Sequence, residues 1–279
     1  MKRRNFISTG MTLKQQHLYI IVGILILSLI AGIAMVVLPK ISTPLLYWAV
    51  ERERFHLVKI CVSLGADVNA KSNQYGRSPL HLAARWNRNN VDIVKFLVSK
   101  GADVHANNDR GDTPLYEAAE VNTNVEIAKF LIAEGADVNA KNDYGRTPLH
   151  TATHLNLNVE VAKFLISKGA NVNAKDNGGF TPLHYTAAWD YAAMSVIENI
   201  EMANALISEG AEINAKENGG QTPLHRAAWN GTVELARLLV SEGADVNMKE
   251  KGGRTPLDCA KEKGNTAVVE YLSTVTNGE

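Results

Sequence analysis

The sequence predicts an all-α solenoid of helix pairs joined by hairpin-like loops, preceded by a single transmembrane helix. Three observations predict it. Thr/Ser-Pro-Leu recurs at Thr43, Ser78, Thr113, Thr147, Thr181, Thr222 and Thr255, at spacings of 35, 35, 34, 34, 41 and 33 residues. A second marker, Gly-Ala-Asp/Asn/Glu-Val/Ile-Asn/His, begins at Gly65, Gly101, Gly135, Gly169, Gly210 and Gly243, at spacings of 36, 34, 34, 41 and 33. Two independent markers that keep one period define a tandem array. The third observation is Leu18 to Leu38, a run of 21 residues without a charge.

That run divides the 279-residue chain into a basic leader (1–17), an apolar segment (18–38) and a repeat body (39–279). A helix over the apolar segment would reach about 31 Å, the thickness of a bilayer's hydrocarbon core. Ser28 is its one polar residue, Tyr19 sits near one edge, and Pro39 and Lys40 close it. A buried core helix fits poorly beside a basic leader. A cleaved signal peptide is the stronger competitor, because Gly32-Ile33-Ala34 is a small-x-small site. Against cleavage, the run continues through Met35-Val36-Val37-Leu38 with no polar region. The leader carries Lys2, Arg3, Arg4 and Lys14, and no acidic residue precedes Glu51. The positive-inside bias therefore expects a single-pass membrane protein with a cytoplasmic N-terminus and the repeat body across the membrane. Ser28 and Gly32 form a lone small-xxx-small pair, too little to argue helix pairing.

The overall balance of 29 basic and 29 acidic residues conceals this asymmetry: residues 41–279 carry 24 basic and 29 acidic groups. A mildly acidic body excludes a phosphate-tracking nucleic-acid binder. Cys61 and Cys259, 198 positions apart, form no disulfide framework.

Each repeat has a physical logic. Thr or Ser caps a helix by accepting a free backbone N–H. Pro follows at the first helical position, where its missing N–H is no loss. Leu and Ala-Ala then make a short helix with a small-residue face. A second, amphipathic helix follows, as in Val91-Asp92-Ile93-Val94-Lys95-Phe96-Leu97-Val98. Gly101 and its counterparts suit the left-handed residue that ends it. A later glycine (Gly76, Gly111, Gly145, Gly179, Gly220 or Gly253) supplies the turn into the next unit.

These residues resemble the ankyrin repeat, whose pattern runs from Gly-x-Thr-Pro-Leu-His through Gly-Ala-Asp-Val-Asn. The resemblance covers residues 43 to about 273, seven units in all. It implies a curved right-handed stack of antiparallel helix pairs with loops projecting to one side, each unit sharing its core with its neighbours. The first unit departs, with Leu46 for His and Trp48 for Ala, and is expected to act as a cap. The third has Tyr116 for His and the last Asp258, with a second helix over Thr266 to Tyr271 expected to face water. The fifth spans 41 residues, and Met194, Val196, Ile197, Ile200 and Met202 suggest lengthened helices across Trp189 to Ala205. Thr43 follows Leu38 closely, so a helix starting there would sit near the membrane surface.

No enzyme is expected, and no metal or cofactor. His81, His150, His184 and His225 occupy one repeat position, where the family resemblance implies that the imidazole ties adjacent turns. His17, His56, His105 and His154 lack ligand spacing, and no zinc, nucleophile-elbow or phosphate-loop motif is present. Asn230-Gly231-Thr232 is the one glycosylation sequon, placed where the repeat also wants a turn glycine.

The expected partner is another protein, held at loop tips and along the first helices, as the resemblance implies. Residues beside the loop glycine and after Ala-Ala then carry the contact. They include Tyr75, Arg77, Arg85 and Trp86 in the second unit, with Gln74, and Arg110 in the third, with Asp109, Asp112 and Glu120. Tyr144 and Arg146 follow with His154, then Phe180 and Trp189, then Trp229 with Gln221. Tyr, Trp and Arg dominate interface hot spots. The alternative for Trp189 and Trp229 is packing beneath the fifth unit's extension.

Overall fold

The computed structural model describes residues 38–72, 75–86, 91–121, 124–154, 159–187 and 196–276, with the side chains of 196–198 excepted. The leader and the apolar segment up to Val37 lie outside the described residues, as does Trp189. Among the described residues no helix is long and apolar enough to cross a membrane.

Helices alternate between two rows. One row holds α1 (residues 38–51), α3 (Pro79–Trp86), α5 (Pro114–Val121), α7 (Pro148–His154), α9 (Pro182–Thr186), α11 (Pro223–Asn230) and α13 (Pro256–Lys263). The other holds α2 (Phe55–Ser63), α4 (Val91–Ser99), α6 (Val125–Ala133), α8 (Val159–Ser167), α10 (Val196–Ser208), α12 (Val233–Ser241) and α14 (Thr266–Thr276). From α3 onward each odd helix packs on the next odd helix, and each even helix packs on the next even one. No strand is assigned among the described residues.

The repeat residues do what their chemistry demands. Ser78 and Thr222 accept the backbone N–H three residues on (3.4 Å each), as Thr113 does at 3.2 Å and Thr255 at 3.3 Å. The marker leucines Leu80, Leu115, Leu149, Leu183 and Leu224 are almost wholly buried. Each such burial contributes about 1.5–3 kcal/mol. Ala83, Ala84, Ala118, Ala119, Ala227 and Ala228 are equally buried, which lets adjacent odd helices approach closely.

Histidine ties the units. In His81, His150, His184 and His225, Nδ1 accepts the backbone N–H of the capping Ser or Thr (3.1–3.2 Å). An acceptor at Nδ1 puts the proton on Nε2. Nε2 then donates to the carbonyl of Asp112, Phe180, Gln221 or Arg254 in the following unit, at 2.9–3.1 Å. Asp258 repeats only the local half, accepting from Thr255 N at 2.9 Å, because no further unit follows it among the described residues. Loop asparagines form a second ladder: Asn69, Asn139, Asn173 and Asn214 donate to the carbonyls of Gly101, Gly169, Gly210 and Gly243 one unit on. Successive loop tips are joined as well, for example Asp143 N to Arg110 O at 3.0 Å and Asn177 N to Tyr144 O at 2.9 Å.

Three expectations need correction. Thr43 is not an N-cap: α1 is already helical at residue 38, so Thr43 and Pro44 lie inside it. Its hydroxyl instead accepts Asp67 N at 3.0 Å, the service that Asn69 performs for Asp103. The first unit does not present the polar outer face of a cap. Leu38, Ile41, Leu45 and Trp48, spaced at three and four residues, line one exposed stripe of α1, while Leu46, Ala49 and Val50 pack inward. Finally, α14 runs to Thr276 and buries Val268 and Leu272, so it is a packed closing helix. In the fifth unit α10 has 13 residues against nine in α4, α6, α8 and α12, and it buries Met202, Ala203 and Leu206.

Candidate protein-binding surface

Counting from the capping Thr or Ser, three positions of each unit come together on the face of the odd helices: the residue before the cap, the fourth after it and the seventh after it. The fourth-position side chain of one unit meets the other two positions of the unit before. Glu117 shows the arrangement fully formed. Its side chain is entirely buried and accepts from Arg77 Nε (2.5 Å), Arg85 (2.6 Å) and Asn108 Nδ2 (3.2 Å). Arg85 also pairs with Glu120. Asn108 and Asn142 bracket Asp112 at 3.1 and 2.8 Å, so the network continues into the fourth unit.

One step on, Tyr185 fills the fourth position. Its hydroxyl donates to Asp176 Oδ2 at 2.6 Å, Arg146 lies over its ring at 5.3 Å, and His154 meets that ring edge-on at 5.2 Å. Burial and the bond to Asp176 push the Tyr185 phenol well above its usual range. His154 is pushed down to about 4 by burial and by the Arg146 charge. In the sixth unit the fourth position is Arg226, which lies 5.0 Å over Phe180.

The sequence-predicted residues divide accordingly. Tyr75 sits at a loop tip with φ of 66°, 42 % exposed, between the guanidinium groups of Arg77 (5.2 Å) and Arg110 (5.0 Å). Arg77 and Arg85 are committed to Glu117 and are mostly covered. Trp86 ends α3, 43 % exposed with Arg85 beside it at 5.1 Å. Tyr144 is 54 % exposed, and Arg146 stands 5.7 Å from its ring. Phe180 is half-buried. So is Trp229, which packs on the core with Lys263 at 4.0 Å and Arg254 at 5.8 Å from its ring. The structure thus groups Tyr75, Arg77 and Arg110 with Arg85 and Trp86 around the second and third units, and Tyr144, Arg146 and Phe180 around the fourth and fifth. Glu117, Tyr185 and Arg226 were missed. All three occupy the fourth position, a site that recurs in every unit while its residue type varies, and that was the available signal.

Among the described residues no group of three or more His, Cys, Asp and Glu could hold a metal ion. Cys61 and Cys259 are buried, and burial raises both thiol pKa values, which disfavours the reactive thiolate. At the sequon, Asn230 Nδ2 donates to Ala187 O at 2.6 Å and Gly231 adopts φ of 78°, so this tripeptide serves a helix end.

A family model described as ankyrin repeats (3 copies) matches residues 24–108, 89–176, 115–195 and 189–278. The chain belongs to the ankyrin-repeat family. Such repeats imply a protein–protein interaction module, in a family that is generally non-enzymatic. A comparison with curated proteins returned no match.

Proposed function

We propose that the chain is a non-enzymatic scaffold that binds another protein through its loop tips and odd-helix face, anchored to a membrane by residues 18–38. The observation that supports binding is the trio Tyr75, Trp86 and Tyr144, large rings that remain more than two-fifths exposed on this surface. Exposed aromatic rings beside arginines are the side chains from which interface hot spots are built. The anchor is supported by the stripe of Leu38, Ile41, Leu45 and Trp48, which carries the apolar character of the preceding run into α1. In this reading the leader is cytoplasmic and the repeats stand on the opposite side of the membrane. The test is protease protection on sealed vesicles of known orientation. Digestion of the repeats from the extracytoplasmic side supports the arrangement, and protection until the membrane is opened reverses it. Recovery as a soluble chain lacking 34 residues by mass would instead show cleavage after Ala34 and a secreted binder.

A further inference from the structure

Arg226 breaks the pairing rule of the surface. Where the third unit puts a carboxylate (Glu117) between two arginines, the sixth unit puts a guanidinium against the ring of Phe180. Among the described residues no carboxylate lies within 4 Å of it, and its Nε is shut off from water with no hydrogen-bond partner. Glu217, whose charge acts on Arg226, is already engaged: its two oxygens accept Gly219 N at 2.7 Å and Gln221 N at 2.9 Å.

Arg226 lines an open hollow of about 250 Å³ with Tyr144, Arg146, Asp176, Phe180 and Tyr185. Among the described residues Asp176 supplies the only negative charge on its wall, and its oxygens already accept from Gly178 N, Phe180 N and the Tyr185 hydroxyl. Arg146 stands 3.7 Å from it. Two cations against one carboxylate leave the hollow one positive charge in excess. The rings of Tyr144, Phe180 and Tyr185 and the Asn177–Gly178 turn complete its walls, and Phe180 can lie over that turn because Gly178 has no Cβ, which would come within 2.8 Å of the ring.

We propose that this hollow receives one acidic side chain of the partner protein, its carboxylate pairing with Arg226 and Arg146 between the Phe180, Tyr185 and Tyr144 rings. A monoanion cancels the excess charge, whereas a dianionic phosphate would overshoot it beside Asp176. A cation without a counter-ion is the costly member of such a site, so an incoming carboxylate restores the pairing seen at Glu117. Burial lowers the Arg226 pKa, a desolvation cost that the opposite charge of an arriving carboxylate would offset.

The inference rests on the protein-binding reading above, and the experiment separates the two. A phage-displayed random dodecapeptide library is selected on the full chain, and the enriched peptides are then assayed on Arg226→Gln, whose fold is checked by circular dichroism. Peptides with a fixed Asp or Glu are expected. Their affinity should fall about ten- to a hundred-fold when that acid becomes the amide, and equally on Arg226→Gln, with no further loss when both changes are combined. Peptides that bind indifferently to Arg226 overturn the carboxylate site and leave protein binding standing. A wild-type site whose Arg226 Nε–H NMR signal moves with inorganic phosphate but not with acetate overturns it in favour of a phosphate ligand. Enrichment of no peptide on the folded chain counts against the protein-binding reading and removes this inference with it.

Discussion

Lowering the pH from 7 to 5 is expected to loosen the repeat stack through its buried histidines, and His184 gives the magnitude. Its Nδ1 accepts Thr181 N at 3.2 Å and its Nε2 donates to Gln221 O at 3.1 Å, an arrangement that only the neutral ring can make. Burial pushes its pKa down to about 4 in the folded chain, against about 6.5 when unfolded. Above pH 6.5 both states are neutral and the full contribution is present. As the pH falls below 6.5 the unfolded chain takes up a proton that the folded one refuses, so stability declines until about pH 4. At about 1.4 kcal/mol per pKa unit, the loss is ~2 kcal/mol at pH 5 and approaches ~3 kcal/mol at pH 4. His81, His150 and His225 are shifted in the same direction by the same burial, and His154 is at about 4. Glu250 and Asp258 have depressed pKa values, so their acid losses set in as the pH falls through the ordinary carboxylate range, where the unfolded chain begins to protonate, which leaves the interval from pH 7 to 5 to the histidines. The assay is urea unfolding at half-unit pH steps, with the His184 ring followed by NMR. His184→Asn should be weaker at pH 7 but flatter between pH 7 and 5. A His184 ring that titrates near 6.5, or an unfolding free energy that does not change across the interval, would refute the reasoning.

Glu117→Ala should cost about 3–5 kcal/mol, since it leaves Arg77 and Arg85, each with a side chain only 16 % exposed, without their shared carboxylate. A denaturant-midpoint shift worth less than about 1 kcal/mol would mean that water or rearrangement satisfies them. Gly179→Ala should destabilise more than Gly101→Ala. Both glycines have positive φ (81° and 88°), which costs an alanine about 1–2 kcal/mol, but only at Gly179 would the new Cβ meet the next unit, 2.9 Å from Asn218 N. Equal losses in parallel urea melts would show that the loops shift freely. Trp86→Ala should change stability by less than about 1 kcal/mol while weakening partner binding, and a large fall in melting temperature would place Trp86 in the core instead.

What the sequence determined by itself was everything that repeats. A capping hydroxyl, a proline that needs no N–H, an apolar helical stripe and a turn glycine are local devices, so Ser78, Leu80 and Gly101 could each be assigned a task from spacing alone, while the task of His81 came from the family resemblance. Where the pattern faded, local reasoning failed. Thr43 carries the marker yet sits inside α1, because helical backbone already precedes it and no sequence rule limits a helix to its marker. Thr266 begins a helix that looks polar, yet Val268 and Leu272 bury against the preceding pair. The surface followed the same division. Exposure of Tyr75, Trp86 and Tyr144 was legible as aromatic residues at variable positions. The commitment of Arg77 and Arg85 was not, because Glu117 lies 40 and 32 residues away and the units meet only when stacked. The uncompensated charge of Arg226 is likewise a tertiary fact. Whether a guanidinium finds a carboxylate depends on which side chains adjacent units bring within 4 Å, and the period of the sequence says only which positions will meet.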